Sequence, residues 1–443
     1  DLYLEVNTGA YRYDYDQAEV ESLDSGDIRS EEFLLTATTS DNDSVTKTLT
    51  VDLYGADDAP VLGVVESGLI AEVSKSSEVT QSGLSGELSA SDIDGDDLIF
   101  SFKSTLTSSI DTSGMAWGVA LSPDGSTAFV ADSESGMQVI DISDPLSPSL
   151  IARTPTLGYV SDVTLSPDGT IAFLTDGYGL EIVDVSNSVK PTSIHRLETS
   201  GYSTSVTLSS DGSSAFVASG SSGVEIIDVS NPSNPVLLTS LSTSADATNV
   251  TLSSDGDTAF VRCFSTSSGI QIFDISDLTK PILIGAIDHS GYIMDFALSS
   301  DGHTAFLVDY DSGLHIIDIS NFSAPNVQAI YNPSGLTQAV TLSSDGNTAF
   351  LTEDGVGVHV LDITTLSDPF RIGTIDANDG SADSNASGSG YFVDIALSSD
   401  DNTAFVANTA DGLQIFNVSD FLSSNSGYTD LTSDHSHSNV INE

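Results

Sequence analysis

The residues with the clearest chemical potential are aspartates that crowd one short loop near the start of the chain. They are Asp92, Asp94, Asp96 and Asp97, with Asp57 and Asp58 as a second acidic pair upstream. Alternate carboxylates in an extended loop can converge on one point, and Ca²⁺ prefers about six to eight oxygen ligands. The set therefore predicts a calcium site. The closing glutamate of an EF-hand loop is missing, and ordinary solvated Asp-Gly turns are the alternative.

A second group of aspartates recurs at one position of an internal repeat. That position carries Gly118, Asp162, Ser205, Asn249, Asp295, Ala339 and Asp394. The three aspartates have no basic residue close to them in sequence, and Asn249 adds an amide oxygen. At a channel mouth these side chains could bind a cation or a polar ligand. Carboxylates solvated around a water-filled channel are the plainer alternative.

Residues for nucleophilic catalysis do not assemble in the sequence. His315 and His359 share a position where other copies of the repeat carry Gln or Glu, which indicates a structural polar slot. Cys263 has no histidine partner in register, and His435 and His437 stand in a polar tail. The sequence contains no serine elbow in a strand–turn–helix setting and no phosphate-binding glycine motif before a helix.

The internal repeat combines Leu-Ser-Pro/Ser-Asp-Gly with a following Ala-Phe-Val/Leu. Its seven copies begin at Leu121, Leu165, Leu208, Leu252, Leu298, Leu342 and Leu397, at intervals of 44, 43, 44, 46, 44 and 55 residues, and the last reads Leu-Ser-Ser-Asp-Asp. Each copy has four short segments rich in Val, Ile and Phe, and in the first six copies the fourth follows a proline. This pattern predicts a four-stranded β-propeller blade with the proline at its outer edge.

Segments such as Leu180–Ser186, which reads Leu-Glu-Ile-Val-Asp-Val-Ser, resemble the Leu-Val-Ile-Val-Asp (LVIVD) repeat of bacterial seven-bladed propellers. The resemblance covers residues 114–431 and implies a seven-bladed propeller, but it implies no activity because propellers host many functions. In the seventh copy Ser424 replaces the proline, and Asn425–Leu431 makes a poor outer strand. The sequence leaves open whether Leu98–Thr105 crosses over to close the ring.

Residues 1–113 follow a different pattern. Tyr11–Tyr15, Glu32–Thr38 and Val45–Leu53 alternate with the period of half-buried strands. Gly-Ala-Asp-Asp-Ala-Pro at 55–60 and Asp-Ile-Asp-Gly-Asp-Asp at 92–97 resemble motifs of VCBS-type and cadherin-like repeats of large bacterial surface proteins. The resemblance implies the C-terminal part of one β-sandwich module at 1–60, then the start of a second module with a Ser/Thr-rich connector at 61–113. Residues 432–443 are expected to form a polar tail.

Charge and composition narrow the classes of partner. The 443 residues include 11 Lys and Arg against 65 Asp and Glu, a formal net charge of −54. Nucleic acids and anionic membrane surfaces are therefore unsuitable partners. No apolar run is long enough to span a membrane. The single cysteine excludes an intrachain disulfide, and a start at Asp1 suggests a piece of a longer polypeptide.

Together these features predict an all-β, extracellular or cell-surface protein whose propeller binds a protein or glycan, with Ca²⁺-stiffened modules as spacers. The alternative is a divalent-metal-dependent hydrolase or lyase with its site at the channel mouth, and a purely structural spacer is a third possibility. An insertion at 378–390, which includes Asp379, precedes the seventh copy. It is a candidate ligand loop with Tyr391 and Phe392 at its base, although core packing is the plainer role for Phe392.

Overall fold

The structure is a computed structural model. It describes residues 102–264, 269–333, 335–354, 356–376 and 391–422, and before residue 102 it describes six strands only. The chain divides into one unit of residues 1–103 and 423–443 and a second unit of residues 104–422. The acidic residues at 57–58 and 92–97, Asp379 and the tail histidines lie outside the described residues.

The first unit contains three antiparallel strand pairs. They are β1 (Leu2–Leu4) with β2 (Tyr11–Tyr13), β3 (Asp27–Thr38) with β4 (Ser44–Gly55), and β5 (Val61–Leu62) with β6 (Ala90–Ser91). Strands β2, β3 and β4 coincide with three segments whose alternation predicts strands. The β-sandwich modules themselves remain a prediction.

The second unit is the seven-bladed β-propeller that the repeat predicts. The first three blades are β8–β11 (Gly118–Leu121, Thr127–Ala131, Met137–Asp141, Ser149–Thr154), β12–β15 (Asp162–Leu165, Ile171–Thr175, Gly177–Asp184, Thr192–Ser203) and β16–β19 (Ser205–Leu208, Ser214–Ala218, Val224–Asp228, Val236–Leu241). Each is an antiparallel sheet in chain order, and each outer strand begins directly after its proline, as expected.

The remaining blades repeat this arrangement. Blades four to six are β20–β23 (Asp246–Leu252, Thr258–Phe264, Ile270–Asp274, Ile282–Ile287), β24–β27 (Ile293–Leu298, Thr304–Asp309, Gly313–Asp318, Asn326–Tyr331) and β28–β31 (Thr337–Leu342, Thr348–Glu353, Gly357–Asp362, Phe370–Asp376). The last three strands are β32–β34 (Phe392–Leu397, Thr403–Asn408, Gly412–Asn417), and a single helical turn, α1 (Ser419–Leu422), follows them.

The outer strand of blade seven comes from the opposite end of the propeller sequence. Strand β7 (Phe102–Ile110) pairs antiparallel with β34, and it also hydrogen-bonds β31 of blade six. Its pairing shifts register between Ile415 and Phe416, where the other six third strands shift as well. A crossover strand therefore closes the ring. The propeller consequently includes residues before the expected start of its range, 114–431, and residues 106–110 belong to this strand rather than to a connector.

Burial explains why these sheets stack. Second strands such as Thr127–Ala131 are buried along their whole length, so both faces need a neighbour. Seven apolar clusters fill the spaces between successive blades, and one of them joins blade seven to blade one through Phe405 and Val119. Because the core lies between blades, each blade depends on both neighbours.

The Asp-Gly turns lie together on one face of the propeller, as predicted. In the first copy, Asp124 accepts hydrogen bonds from Ser122 Oγ and the Ser126 amide, and Gly125 has a φ of 69°. A Cβ on Gly169 would lie 2.5 Å from the ring of Pro123 in the preceding copy, so neighbouring turns touch. In the seventh copy Asp401 adopts the same left-handed conformation, with a φ of 57°. These turns are structural. Among the described residues, no helix has the length and apolar character needed to cross a membrane.

Candidate functional site

The face opposite the Asp-Gly turns, which we call the irregular face, collects exposed aromatic side chains. It contains the connections from each outer strand to the next inner strand and the loops between second and third strands. The rings there are Trp117, Tyr159, Tyr178, Tyr202, Phe264, Tyr292 and Tyr391, each between 41% and 61% exposed. We call this set the aromatic rim.

Glycines allow the connections to pass close to the second strands, directly before several of these rings. Gly158 and Gly201 cross directly over the end of a second strand, where an added Cβ would lie 2.0 Å from the Asp176 carbonyl oxygen and 1.9 Å from that of Ser219. The next residue in each case is a tyrosine of the rim. The sequence signal that identifies them is a Gly-Tyr pair before an inner strand, and it occurs at 158–159, 201–202, 291–292 and 390–391. Of these four tyrosines, Tyr391 alone is a predicted ligand-site residue.

Several rim side chains lie close to one another. The rings of Phe264 and Tyr292 have centroids 6.1 Å apart at 32°. The Tyr202 ring covers Gly177, at 2.7 Å from the position of an added Cβ. The negative charge of Glu134, together with a hydrogen bond to it, raises the pKa of the Tyr159 hydroxyl, and Tyr178 and Tyr202 add smaller effects of the same sign. The rim thus combines flat apolar surface with hydroxyl and carboxylate groups.

The predicted channel-mouth aspartates tie neighbouring blades together. Asp162 Oδ2 accepts from the Val206 amide (2.9 Å), Asp295 Oδ2 from Val340 (3.0 Å) and Asp394 Oδ2 from Val119 (2.8 Å). Each donor amide belongs to the next blade around the ring. Asn249 occupies the corresponding place in β20 and is partly exposed. These bonds give the three carboxylates a structural role between blades.

Burial dominates the electrostatics of these carboxylates. Desolvation raises the pKa of all three, that of Asp394 to about 7, where the charges of Asp295 and Asp162 add to the rise. Asp295 also has a basic neighbour that is distant in sequence, Arg262 of blade four. Its positive charge lowers the pKa of Asp295 and so opposes the effect of burial. The Arg262 Nε donates to Thr248 Oγ1 at 3.0 Å.

The aspartate ring does not form a metal-sized cluster. Among the described residues, these three carboxylates do not form a group in which one oxygen from each lies within 4.8 Å of the others. Each has a separate backbone partner in the neighbouring blade instead.

Buried polar pairs form a second ring beneath the irregular face. Each pair consists of the residue at the end of a second strand and the residue in the polar slot of the following third strand. The pairs are Asp132/Gln138, Asp176/Glu181, Ser219/Glu225, Cys263/Gln271, Asp309/His315, Glu353/His359 and Asn408/Gln414. In blades three and four the slot residue anchors the incoming connection, since Glu225 Oε1 accepts from the Ser200 amide (2.7 Å) and Gln271 Oε1 from that of Ser244 (2.8 Å). The polar slot is therefore structural in these blades.

Three blades place a basic side chain beside a carboxylate of this ring, namely blade two, blade six and blade five, where His289 lies next to Asp309. In blade two, Arg196 makes a bidentate ion pair with Asp176. In blade six, His359 pairs with Glu353, and its Nδ1 lies 2.9 Å from the Tyr331 hydroxyl. Burial raises the pKa of the Cys263 thiol to about 11, which keeps it protonated near neutral pH.

The predicted ligand-loop residues separate in the structure. Tyr391 is half exposed in the rim, with its amide bound to Thr409 Oγ1 (2.9 Å). Phe392 is buried in the cluster between blades six and seven, so it contributes to the core. Residues 377–390 lie outside the described residues.

Comparison with known families agrees with this architecture. The LVIVD repeat family model matches residues 113–156, 157–199, 200–243, 256–289 and 290–333, which correspond to five successive blades. No curated protein matches the chain. Blades six and seven lie beyond the matched residues but have the same strand order and the same register shift. The chain thus contains LVIVD repeats, and they form part of a seven-bladed β-propeller.

Proposed function

We propose that the propeller is a recognition module of a secreted or cell-surface protein and that it binds a protein or glycan partner at the aromatic rim. The observation that carries this proposal is the concentration of half-exposed Tyr, Trp and Phe side chains on one face. Tyr and Trp offer rigid apolar surface with a polar tip, which is why they are enriched in binding surfaces. Sugar rings present C–H faces that pack on such side chains and hydroxyls that their polar groups can bind.

Removing part of the rim should abolish binding without unfolding the protein. We expect the triple variant Tyr159→Ala/Tyr178→Ala/Tyr202→Ala to lose the partners that the unaltered chain retains on a glycan array and a panel of surface proteins, because these rings supply the contact area. Their exposure predicts little change in melting temperature. Val236→Ala/Leu237→Ala/Leu238→Ala is the matched control, since these side chains are similarly exposed on an outer strand.

Two outcomes would redirect the proposal. Equal binding by the rim variant and the unaltered chain would show that the site lies elsewhere. Deletion of residues 379–389 provides a second arm, because the segment leaves β31 and enters β32 at the irregular face. Loss of binding with an unchanged melting temperature would make that segment part of the site, whereas unfolding would make it structural.

The N-terminal unit is proposed to act as a Ca²⁺-stiffened spacer. The acidic residues at 57–58 and 92–97 support this through their spacing alone. We expect Ca²⁺ to raise the melting temperature of this unit, a chelator to reverse the rise, and Asp94→Ala to remove most of it, because a ligand of the folded state stabilises that state. Differential scanning calorimetry of the whole chain would resolve the transition. A transition that Ca²⁺ does not move would contradict the calcium proposal.

A further inference from the structure

Blade five brings together two histidines and an aspartate at the irregular face. One ligand atom from each of His289, Asp309 and His315 lies within 4.8 Å of the others, and no other such group of three occurs among the described residues. His289 Nε2 lies 2.8 Å from Asp309 Oδ2. The two imidazole rings meet edge to face with centroids 4.9 Å apart at 83°. All three residues are largely buried, and His289 keeps some contact with solvent.

Neighbouring groups orient Asp309 and His315. Asp309 Oδ1 accepts from the Ser312 amide (2.7 Å), the Ser312 hydroxyl (2.6 Å) and the Asp311 amide (3.2 Å). This leaves Oδ2 directed at His289. His315 Nε2 lies 2.8 Å from the Ser312 hydroxyl. The carboxylate is held by its own turn, as carboxylate ligands of metal sites commonly are.

The close approach of the connection to Asp309 requires a glycine. An added Cβ at Gly291 would lie 1.7 Å from Asp309 Oδ2 and 2.9 Å from His289 Nε2. Any side chain at this position would occupy the space beside the carboxylate and the imidazole. The glycine therefore allows the backbone of the connection to lie close to both groups.

The other blades show that the blade structure does not need these histidines. His289 lies two residues before the glycine of its connection. In earlier connections, the residue two positions before the corresponding glycine or alanine is a threonine: Thr112, Thr156, Thr199 or Thr243. Thr199 and Thr243 bond within their own connection, to the carbonyl oxygens of Gly201 (2.9 Å) and Ala245 (2.7 Å). The slot of His315 carries Gln or Glu in five blades. Blade five thus departs from the repeat at two positions, both toward metal-ligating side chains.

We propose that blade five binds a divalent transition-metal ion, best matched by Zn²⁺, through one ring nitrogen each of His289 and His315 and through Oδ2 of Asp309. Two imidazoles on a tetrahedral zinc ion place their ring centroids about 5 Å apart, given Zn–N bonds of about 2 Å. Mixed imidazole and carboxylate donors suit zinc and its neighbours better than Ca²⁺. Three protein ligands leave a fourth position for water or a partner's donor group.

The test compares the whole chain with a variant that restores the repeat. His289→Thr and His315→Gln insert the residues that sister blades carry at these positions, so the fold should be retained.

After chelator treatment and dialysis, both proteins are titrated with Zn²⁺ near neutral pH by isothermal calorimetry, with metal content measured by mass spectrometry. We expect the double variant to bind one Zn²⁺ fewer per chain, or that ion about 100-fold more weakly, and to lose the associated rise in melting temperature. Co²⁺ should give the visible bands of tetrahedral coordination in the unaltered chain only.

Two further variants make the result decisive. His359→Gln alters the equivalent slot of blade six and should leave Zn²⁺ binding unchanged. Asp309→Asn copies Asn408 of blade seven, whose Oδ1 accepts from the Ala410 and Asp411 amides, and it should weaken binding even if the double variant proves unstable. Equal stoichiometry and affinity for the unaltered chain, the double variant and Asp309→Asn would overturn the proposal, as would an unaltered chain that binds no Zn²⁺. Binding by the tail histidines would be common to all variants and would not mimic the expected difference.

Discussion

At the scale of single residues, the carboxylates fall into two groups with opposite protonation behaviour. Turn aspartates such as Asp124 lie at the surface, and hydrogen bonds from Ser122 and Ser126 lower their pKa. Asp132 is fully buried, and its Oδ1 accepts a hydrogen bond from Thr112 Oγ1 at 2.6 Å. Desolvation raises the pKa of Asp132 from 3.8 to about 6. The same residue type therefore stabilises the fold at one site and opposes it at another.

Asp132→Asn should change the pH dependence of stability. The folded state holds a proton on Asp132 that the unfolded chain has released, so this contribution is present below about pH 4 and is lost as pH rises through about 6. Relative to Asp132→Asn, the free energy of unfolding of the unaltered chain should fall by about 3 kcal/mol between about pH 4 and about pH 8. Urea denaturation across this range measures the difference. Asp124→Asn is the control, because a lowered pKa gives the opposite slope; parallel profiles for Asp132→Asn and the unaltered chain would contradict the assignment.

At the scale of elements, the ring is held by contacts between blades. Asp162, Asp295 and Asp394 each bond to an amide of the next blade, and β7 covers the third strand of blade seven. Without β7, the buried segment Leu413–Phe416 would end in an open edge. Exposed apolar edge strands promote aggregation.

Removal of the closing strand should destabilise the propeller strongly. A chain that begins at Asp111 lacks the partner of β34, and we expect a loss of about 4 kcal/mol or more in the free energy of unfolding, with aggregation on heating. A chain that begins at Phe102 retains β7 and serves as the control, which should melt near the temperature of the intact propeller. Static light scattering and calorimetry provide the measurement. Equal melting of the two shortened chains would show that β7 is dispensable.

At the scale of the whole molecule, the net charge of −54 creates repulsion that no small set of ion pairs can balance. Salt screens such repulsion, with a Debye length of about 10 Å at 0.1 M. The melting temperature should therefore rise as NaCl increases from about 10 mM to about 0.5 M. Chelator in every sample excludes a contribution from divalent ions. A melting temperature that is independent of salt would show that the charges are too dispersed to matter.

The fold could be predicted because its information is local and repeated. The turn sequence and the apolar second and third strands recur seven times, and the proline before the outer strand recurs six times. Each of these features predicts the same blade structure. The closing strand could not be assigned, because Phe102–Ile110 pairs with residues about three hundred positions away and its own sequence carries no proline signal. Pairing at that distance depends on the ring having closed.

Periodicity and composition specify the blade, the number of blades, the face that carries the turns and the acidic character of the chain. Which side chains meet, in contrast, depends on the folded ring. His289 lies in a connection and His315 in a third strand, so the repeat pattern does not predict that they meet. Asp309 lies next to both because the connection crosses the end of β25. Arg262 of blade four approaches Asp295 of the adjacent blade five because neighbouring sheets stack against each other. Such contacts depend on the paths of the connections and on the stacking of the sheets. The periodicity of the sequence does not specify either.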